Sequence, residues 1–122
     1  MKHAVEETNA FRKAQRLDPV TTSKPLEDAA REFARFMART GKYGHNADGR
    51  RPVERATAQG YDYCIVSENI AYLYRSSGYD AATLAGEMVE GWKNSPEHRK
   101  NMAEPAVTQI GVGIAQGEAG RY

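Results

Sequence analysis

Residues 91–102 read GWKNSPEHRKNM, which places a tryptophan, a Ser-Pro pair and a histidine close together. Proline lacks an amide hydrogen and disfavours α geometry in the residue before it, so Ser95-Pro96 should end one helix. The same pair can begin another, with Ser95 as the N-cap and Pro96 at the first helical position. The Ser95 hydroxyl could then accept from the backbone amide of Glu97 or His98. We therefore predict a tight joint between two helices, with His98 fixed in it.

His98 allows two interpretations. The start of a helix carries partial positive charge, which disfavours an imidazolium, so we expect a neutral ring. A neutral imidazole is the form that ligates metals and accepts protons. In the simpler alternative, His98 only makes hydrogen bonds across the joint. The local pattern leaves both open.

Helical periodicity predicts most of the remaining elements. A helix over 3–17 should stop before Pro19, and one after Ser23 should be capped by that serine and end at Gly41. A short helix should start at Pro52, and another should be capped by Asp80. The apolar stripe of the second helix comprises Leu26, Ala29, Ala30, Phe33, Phe36 and Met37, and that of the helix after Asp80 comprises Ala81, Leu84, Ala85, Met88 and Trp92.

Two stretches are typical of strands. Residues 64–74, CIVSENIAYLY, are rich in β-branched and aromatic side chains. Residues 110–116, IGVGIAQ, alternate bulky residues with glycine or alanine, so one face is bare enough for another element to approach closely. Helices that cover a small sheet are the architecture we expect.

Length and composition restrict the classes of protein. The 122 residues fit one domain, 1–122, and 17 basic against 16 acidic residues disfavour a nucleic-acid surface. No apolar run approaches the ~18 residues of a membrane span. The single cysteine, Cys64, excludes an internal disulfide, and we expect it to be a small buried residue.

Three further side chains are candidates for chemistry. Glu68 sits in an apolar stretch and must face water, a cavity or a partner, because burying it alone is costly. His45 lies in a loop of turn residues, where an ordinary surface or capping role is the alternative. Glu87 lies roughly 120° from the apolar stripe of its helix and stays ambiguous. Common enzyme motifs such as HExxH, GxSxG and the P-loop are absent from the sequence.

The order GHN, DGRRPVERATAQGY, SENIAY, GWKNSPEHRKNM and TQIGVGIA resembles a CAP domain, also called SCP or cysteine-rich secretory/antigen 5/pathogenesis-related-1, of the bacterial branch. The resemblance runs from about Val5 to Tyr122. It implies an α+β fold, an α-β-α sandwich with a small, largely antiparallel sheet between helical layers. It also implies an extracellular, cell-surface or periplasmic location, with the signal segment outside this chain.

The same resemblance implies a cleft with two histidines and two acidic residues, which in some members holds a divalent metal such as zinc. On this chain it suggests His45, Glu68 and, from the SPxH motif, His98. Ser95 stands where eukaryotic members have an acidic residue, so a fourth cleft acid would be Glu87 or none. The resemblance also implies a final strand for which we expect no counterpart before Tyr122, and the open sheet edge that would result predicts self-association.

Three functions are compatible with these residues. The first, which we favour over an enzyme, is a binding module for a lipid, peptide, glycan or protein. The second is a peptidase-like, metal-dependent hydrolase with His45 and His98 as ligands and Glu68 as general base. The third is a purely structural role, in which the polar side chains tie loops to the sheet. The sequence does not identify a ligand, and it predicts neither a nucleic-acid partner nor a transmembrane segment.

Overall fold

The computed structural model describes residues 2–61, 66–71 and 80–115. Within them the order of elements is α1 (Lys2–Ala14), β1 (Thr21–Thr22), α2 (Lys24–Thr40), α3 (Pro52–Ala58), α4 (Ala81–Lys93), α5 (Pro96–Met102) and β2 (Gln109–Ile110). This mixture of helices and a small sheet is the predicted α+β class. No helix in these ranges is long and apolar enough to cross a membrane.

The predicted caps of α2 and α4 are confirmed, whereas α1 ends at Ala14, three residues before the predicted end at 17. The Ser23 side chain accepts from the amide of Leu26 at the start of α2, and Gly41 ends that helix in the left-handed conformation at φ 73°. The Asp80 side chain accepts from the amide of Thr83 at the start of α4. Each cap satisfies backbone groups that a helix end leaves without partners, which is why these sequence signals were reliable.

The main core forms where α1, α4 and α5 meet. Its buried members are Ala4, Phe11, Ala85, Val89, Met102 and Val112. Phe11 belongs to this buried cluster, and Val5, partly buried, packs against it. Burial of these apolar side chains is the main force that holds the three helices together.

Arg12 fastens α1 to the chain that follows α5. The residue is only 2% exposed. Its Nε donates to the carbonyl of Asp18 at 2.7 Å, and its Nη1 donates to the carbonyls of Met102 and Glu104 at 2.9 and 3.0 Å. Nη2 lies 3.4 Å from the carbonyl of Val107. One guanidinium therefore satisfies carbonyls at the C-terminal end of α5, where a positive charge is also favoured.

The sheet in the described ranges is one parallel pair, with Thr21 opposite Gln109 and Thr22 opposite Ile110. The resemblance implies a largely antiparallel sheet, whereas the pair described here is parallel. Residues 66–71 and 111–115, parts of the two predicted strands, have no regular secondary structure. The rest of those strands, with Cys64 and Tyr72, and the final residues to Tyr122 lie outside the described ranges.

The bare face predicted for 110–116 is confirmed at two glycines. A Cβ atom at Gly111 would overlap the backbone of Leu26 and Glu27. At Gly113 it would overlap the backbone of Ala30 and Arg31. Helix α2 therefore packs directly against this extended segment, at a distance that only glycine permits.

Candidate functional site

Arg55, on α3, lies at the centre of a polar cluster that also contains His45, Asp48 and Glu68. It is 3% exposed, and its guanidinium lies 3.5 Å from the centre of the Phe33 ring of α2. Pro52 starts α3 with its fixed backbone angle, which sets the direction from which Arg55 enters. An arginine stacked on a buried ring needs anionic or carbonyl partners for its remaining donors.

Arg55 finds those partners in two separate stretches. Nη1 donates to Asp48 Oδ1 at 2.9 Å and to the Arg50 carbonyl at 2.8 Å. Nη2 donates to Glu68 Oε2 at 2.6 Å and to the His45 carbonyl at 2.8 Å. One buried side chain thus joins the loop before α3 to the segment that carries Glu68. Charge-assisted bonds of this kind are among the strongest in proteins.

This environment shifts the pKa of the Asp48 carboxyl group. Burial by itself raises the pKa of its carboxyl group. The amide of Arg50, which donates to it, and the positive charges of Arg55 and Arg50 outweigh that effect, so the pKa is lowered overall. Asp48 therefore stabilises the loop in its charged form.

The structure brings His45 and Glu68 together. His45 Nδ1 lies 2.8 Å from Glu68 Oε1, while Arg55 holds the other carboxylate oxygen. A carboxylate can only accept, so Nδ1 carries the hydrogen of this bond. In the neutral ring the Nε2 lone pair is then left available, on a side chain that is 49% exposed. The pair can present one acceptor to solvent in a fixed orientation.

His98 is placed differently from the expectation. Ser95 is the N-cap of α5 as predicted, but its hydroxyl contacts His98 Nδ1 at 2.8 Å and makes no capping bond to a backbone amide. The predicted hydroxyl-to-amide bond is therefore wrong. The Ser95 hydroxyl contacts the His98 ring nitrogen, where a backbone amide was expected.

The joint around His98 is tied to the Glu68 segment through amide side chains. Asn69 donates to the His98 carbonyl at 3.0 Å. Asn101 donates to the Glu68 carbonyl at 3.1 Å and to Asn69 Oδ1 at 2.9 Å. Trp92 adds a bond from its indole nitrogen to a carbonyl of the same segment at 3.1 Å. These bonds replace the strand ladder that the sequence predicted for 66–71.

The four predicted site residues are thus only partly assembled. His45 and Glu68 are in contact, His98 reaches their segment through its backbone, and Glu87 is an exposed residue of α4. In the described ranges no three His, Cys, Asp or Glu side chains are arranged to hold a metal ion. His45, Glu68 and His98 thus do not form a three-ligand group, and the assignment of His45 and His98 as metal ligands stays a prediction.

A cavity of about 320 Å³ lies behind the polar cluster. Its apolar wall includes Phe33, Ala34, Met37 and Ala38 of α2, with Met88 and Trp92 of α4. Arg55, Glu68 and Asn101 also line it. His45, His98 and Glu87 are not among its described lining residues. The Arg55–Glu68 ion pair therefore separates the cavity from the exposed imidazole of His45.

Several residues of the cluster were missed at the level of sequence: Arg55, Asp48, Asn69 and Asn101. The available signal was the presence of two asparagines in SENI and RKNM, polar amides beside apolar residues. Such amides are buried only when they are hydrogen-bonded. Arg55 carried no signal, because its sequence neighbours do not distinguish it from Arg50 and Arg51.

Comparison with known proteins identifies the fold and the family. The model of the CAP family, described as the cysteine-rich secretory protein family, matches residues 5–122. The chain belongs to this family. YkwD of Bacillus subtilis, described as uncharacterised, is 32% identical over 116 residues, which cover 94% of this chain and 42% of that protein.

Two solved structures have the same CAP fold. An extracellular SCP-domain protein from Bacillus anthracis superimposes with a TM-score of 0.78 at 23% identity, covering 94% of this chain and 36% of that one. An outer surface protein from Borrelia burgdorferi gives a TM-score of 0.67 at 26% identity, covering 91% of this chain and 77% of that one. The chain thus spans less than half of both Bacillus proteins.

Proposed function

We propose that this CAP domain is an extracellular or cell-surface binding module whose cavity accepts the apolar part of a ligand. The two structural neighbours, described as an extracellular protein and an outer surface protein, support this location. The observation that carries the proposal is the cavity of about 320 Å³ with an ion pair in its wall. Ligand sites are commonly concave, mostly apolar and supplied with a few fixed polar groups.

The chemistry of the wall favours a lipid over the peptide, glycan and protein alternatives. Ala34, Met37 and Ala38 offer no hydrogen-bonding side chains, whereas a glycan would leave its hydroxyl groups without partners there. Glu68 and Asn101 provide polar groups at one side. A long-chain lipid with a polar head group suits this combination of an apolar wall and a polar side.

The test is a titration with a fluorescent long-chain fatty acid. We expect saturable binding at one site per chain, with the emission shifted to the blue. Ala34→Leu should weaken binding at least about tenfold, because the larger side chain fills the cavity. Ala14→Leu is the matched control, since Ala14 is exposed on α1 and is not one of the cavity residues.

Two results would refute the lipid proposal. One is the absence of saturable binding by the wild type. The other is equal binding by wild type and Ala34→Leu when thermal unfolding shows that both are folded. A loss of binding in the Ala14→Leu control would show that the fluorescence does not report on the cavity, and would also count against the proposal.

The hydrolase alternative has a separate test. Calorimetric titration with zinc, repeated on His45→Ala and His98→Ala, measures whether either imidazole holds a metal. We expect no saturable heat, because the described residues include no three-ligand group. Saturable zinc binding that both substitutions abolish would support the metal site instead. If both variants lose thermal stability without any metal response, the purely structural role is favoured.

A further inference from the structure

The outer face of α2 carries three arginines in one row: Arg31, Arg35 and Arg39. They are spaced four residues apart, so they lie on the same side of the helix, about 6 Å from one another along its axis. Like charges at this spacing destabilise a helix. The stability of α2 therefore does not account for the row.

The row is only partly neutralised. Arg31 pairs with Asp28 at 2.7 Å. Glu32, three residues before Arg35, instead accepts from Gln59 at 2.7 Å and lies 3.9 Å from Arg50. In the ranges that the structure describes, Arg35 and Arg39 have no carboxylate partner. Both are exposed, and two guanidinium groups remain available to a ligand.

These arginines line a groove of about 600 Å³. Its cationic residues are Lys24, Arg31, Arg35, Arg39 and Arg50, and its acidic residues are Asp28, Glu32 and Asp48. Each of the three acids already contacts a cation: Asp28 contacts Lys24 and Arg31, Asp48 contacts Arg50 and Arg55, and Glu32 faces Arg50. The groove therefore has an excess of positive charge on the side of Arg35 and Arg39.

From this geometry we propose that the groove binds a linear polymer of phosphate groups, independently of the cavity. The planar guanidinium matches phosphate oxygens in a bidentate fashion. The spacing of about 6 Å between arginines allows neighbouring side chains to hold successive charged groups of one extended chain. Arg35 and Arg39 are the two residues on which this recognition depends.

Two other anionic partners fit the groove less well. Proteins that bind single-stranded nucleic acid commonly offer free aromatic faces for base stacking. Here Phe33 carries Arg55 on its ring and Phe36 lies beneath Arg39, with the two rings stacked on each other. A membrane surface would favour exposed apolar side chains beside the charges. Among the described residues the only large exposed hydrophobic one is Tyr43, which lines the cavity rather than the groove.

The probe is linear inorganic polyphosphate, titrated calorimetrically at low salt. We expect Arg35→Gln and Arg39→Gln each to weaken binding up to about fivefold, the upper end of what one exposed charge contact contributes. Arg35→Lys keeps the charge and should retain most of the affinity. Lys13→Gln, an exposed cation on α1 outside the groove, removes the same charge and should leave affinity nearly unchanged. Affinity should also fall steeply with added salt.

Four outcomes overturn the proposal. The first is no binding by the folded wild type. The second is an equal loss of affinity in Lys13→Gln, which would indicate only net charge. The third is no loss in either glutamine variant. The fourth is tighter binding to single-stranded DNA or to anionic phospholipid vesicles than to polyphosphate, which would assign the groove to a different partner. Circular dichroism verifies that each variant is folded before it is titrated.

Discussion

Two buried arginines, Arg12 and Arg55, join distant parts of this molecule in contrasting ways. Arg12 is 2% exposed and donates to backbone carbonyls, three of them beyond residue 100. Arg55 is 3% exposed and pairs with two carboxylates as well as two carbonyls. Both cations are equally hidden from water, but only the second brings other charged side chains with it.

The difference separates a structural joint from a candidate site. The hydrogen-bond partners of Arg12 are neutral backbone carbonyls, so these bonds hold backbone segments together and lead to no further side chain. Glu68, by contrast, has a second oxygen, which contacts the exposed His45. The Arg55 cluster thus extends from the cavity wall to solvent. The proposed binding site includes this ion pair, which lines the cavity and continues to the exposed imidazole.

The largest effect is expected for Arg55→Met. This change leaves Glu68 without its arginine and Asp48 with only the longer contact to Arg50, where the two side chains are 18% and 10% exposed. The free energy of unfolding in urea should fall by about 3–5 kcal/mol. Arg51→Met, at an arginine whose side chain is 71% exposed, is the control and should cost less than ~1 kcal/mol. Equal losses in the two variants would contradict the central role of Arg55.

Arg12→Met should cost somewhat less, about 2–3 kcal/mol, because it leaves buried carbonyls unsatisfied but no charge unpaired. Measuring the loss of stability at two pH values distinguishes the two arginines further. The loss in Arg12→Met should be the same at pH 7 and pH 4, whereas the loss in Arg55→Met should shrink in acid as the unpaired carboxylates become neutral. Urea unfolding at the two pH values measures both. A pH-dependent loss in Arg12→Met would instead indicate that an ionisable group interacts with Arg12.

The lowered pKa of Asp48 predicts that acid removes part of the stability of the site. Its pKa in the folded protein lies below the ordinary value of 3.8. Its stabilising contribution is therefore fully present above that value and is lost as the pH falls through the lowered pKa. Asp48→Asn lacks this contribution, so its free energy of unfolding should fall less than that of the wild type between pH 5 and pH 2.5. Parallel decreases in the two proteins would rule out this contribution.

The smallest effect on stability is expected at His45, whose side chain is half exposed. His45→Ala should lower the free energy of unfolding by less than ~1 kcal/mol, because exposed pairs contribute little. Thermal unfolding at pH 7 measures this. A loss as large as that of Arg55→Met would instead show that His45 holds the cluster together, which would favour the structural interpretation of the site.

The sequence predicted the helix caps well and the polar cluster poorly, and the reason is physical. Ser23, Gly41 and Asp80 act on backbone groups a few residues away, so their roles are visible in a short stretch. Apart from that of Asp18, the carbonyls that Arg12 reaches lie 90 or more positions beyond it. Whether such an arginine is buried depends on how distant segments meet.

Residue type alone located part of the candidate site. Glu68 was singled out because a carboxylate in an apolar stretch needs a partner, and the structure supplies Arg55. The partner could not be identified in advance, since several arginines occur between 50 and 55. The contact of Ser95 with the His98 ring was missed because the ring and the backbone amides compete for one hydroxyl, and only side-chain geometry decides between them.

A double-mutant cycle on Arg55→Met and Glu68→Gln tests the central claim most directly, because it measures the coupling between the buried guanidinium and the carboxylate that meets His45. The 2.6 Å ion pair predicts that the two changes together cost at least ~1.5 kcal/mol less than the sum of the single changes, measured by urea unfolding at pH 7. Additive losses, with a coupling energy near zero, would contradict the claim that Arg55 holds Glu68 in place.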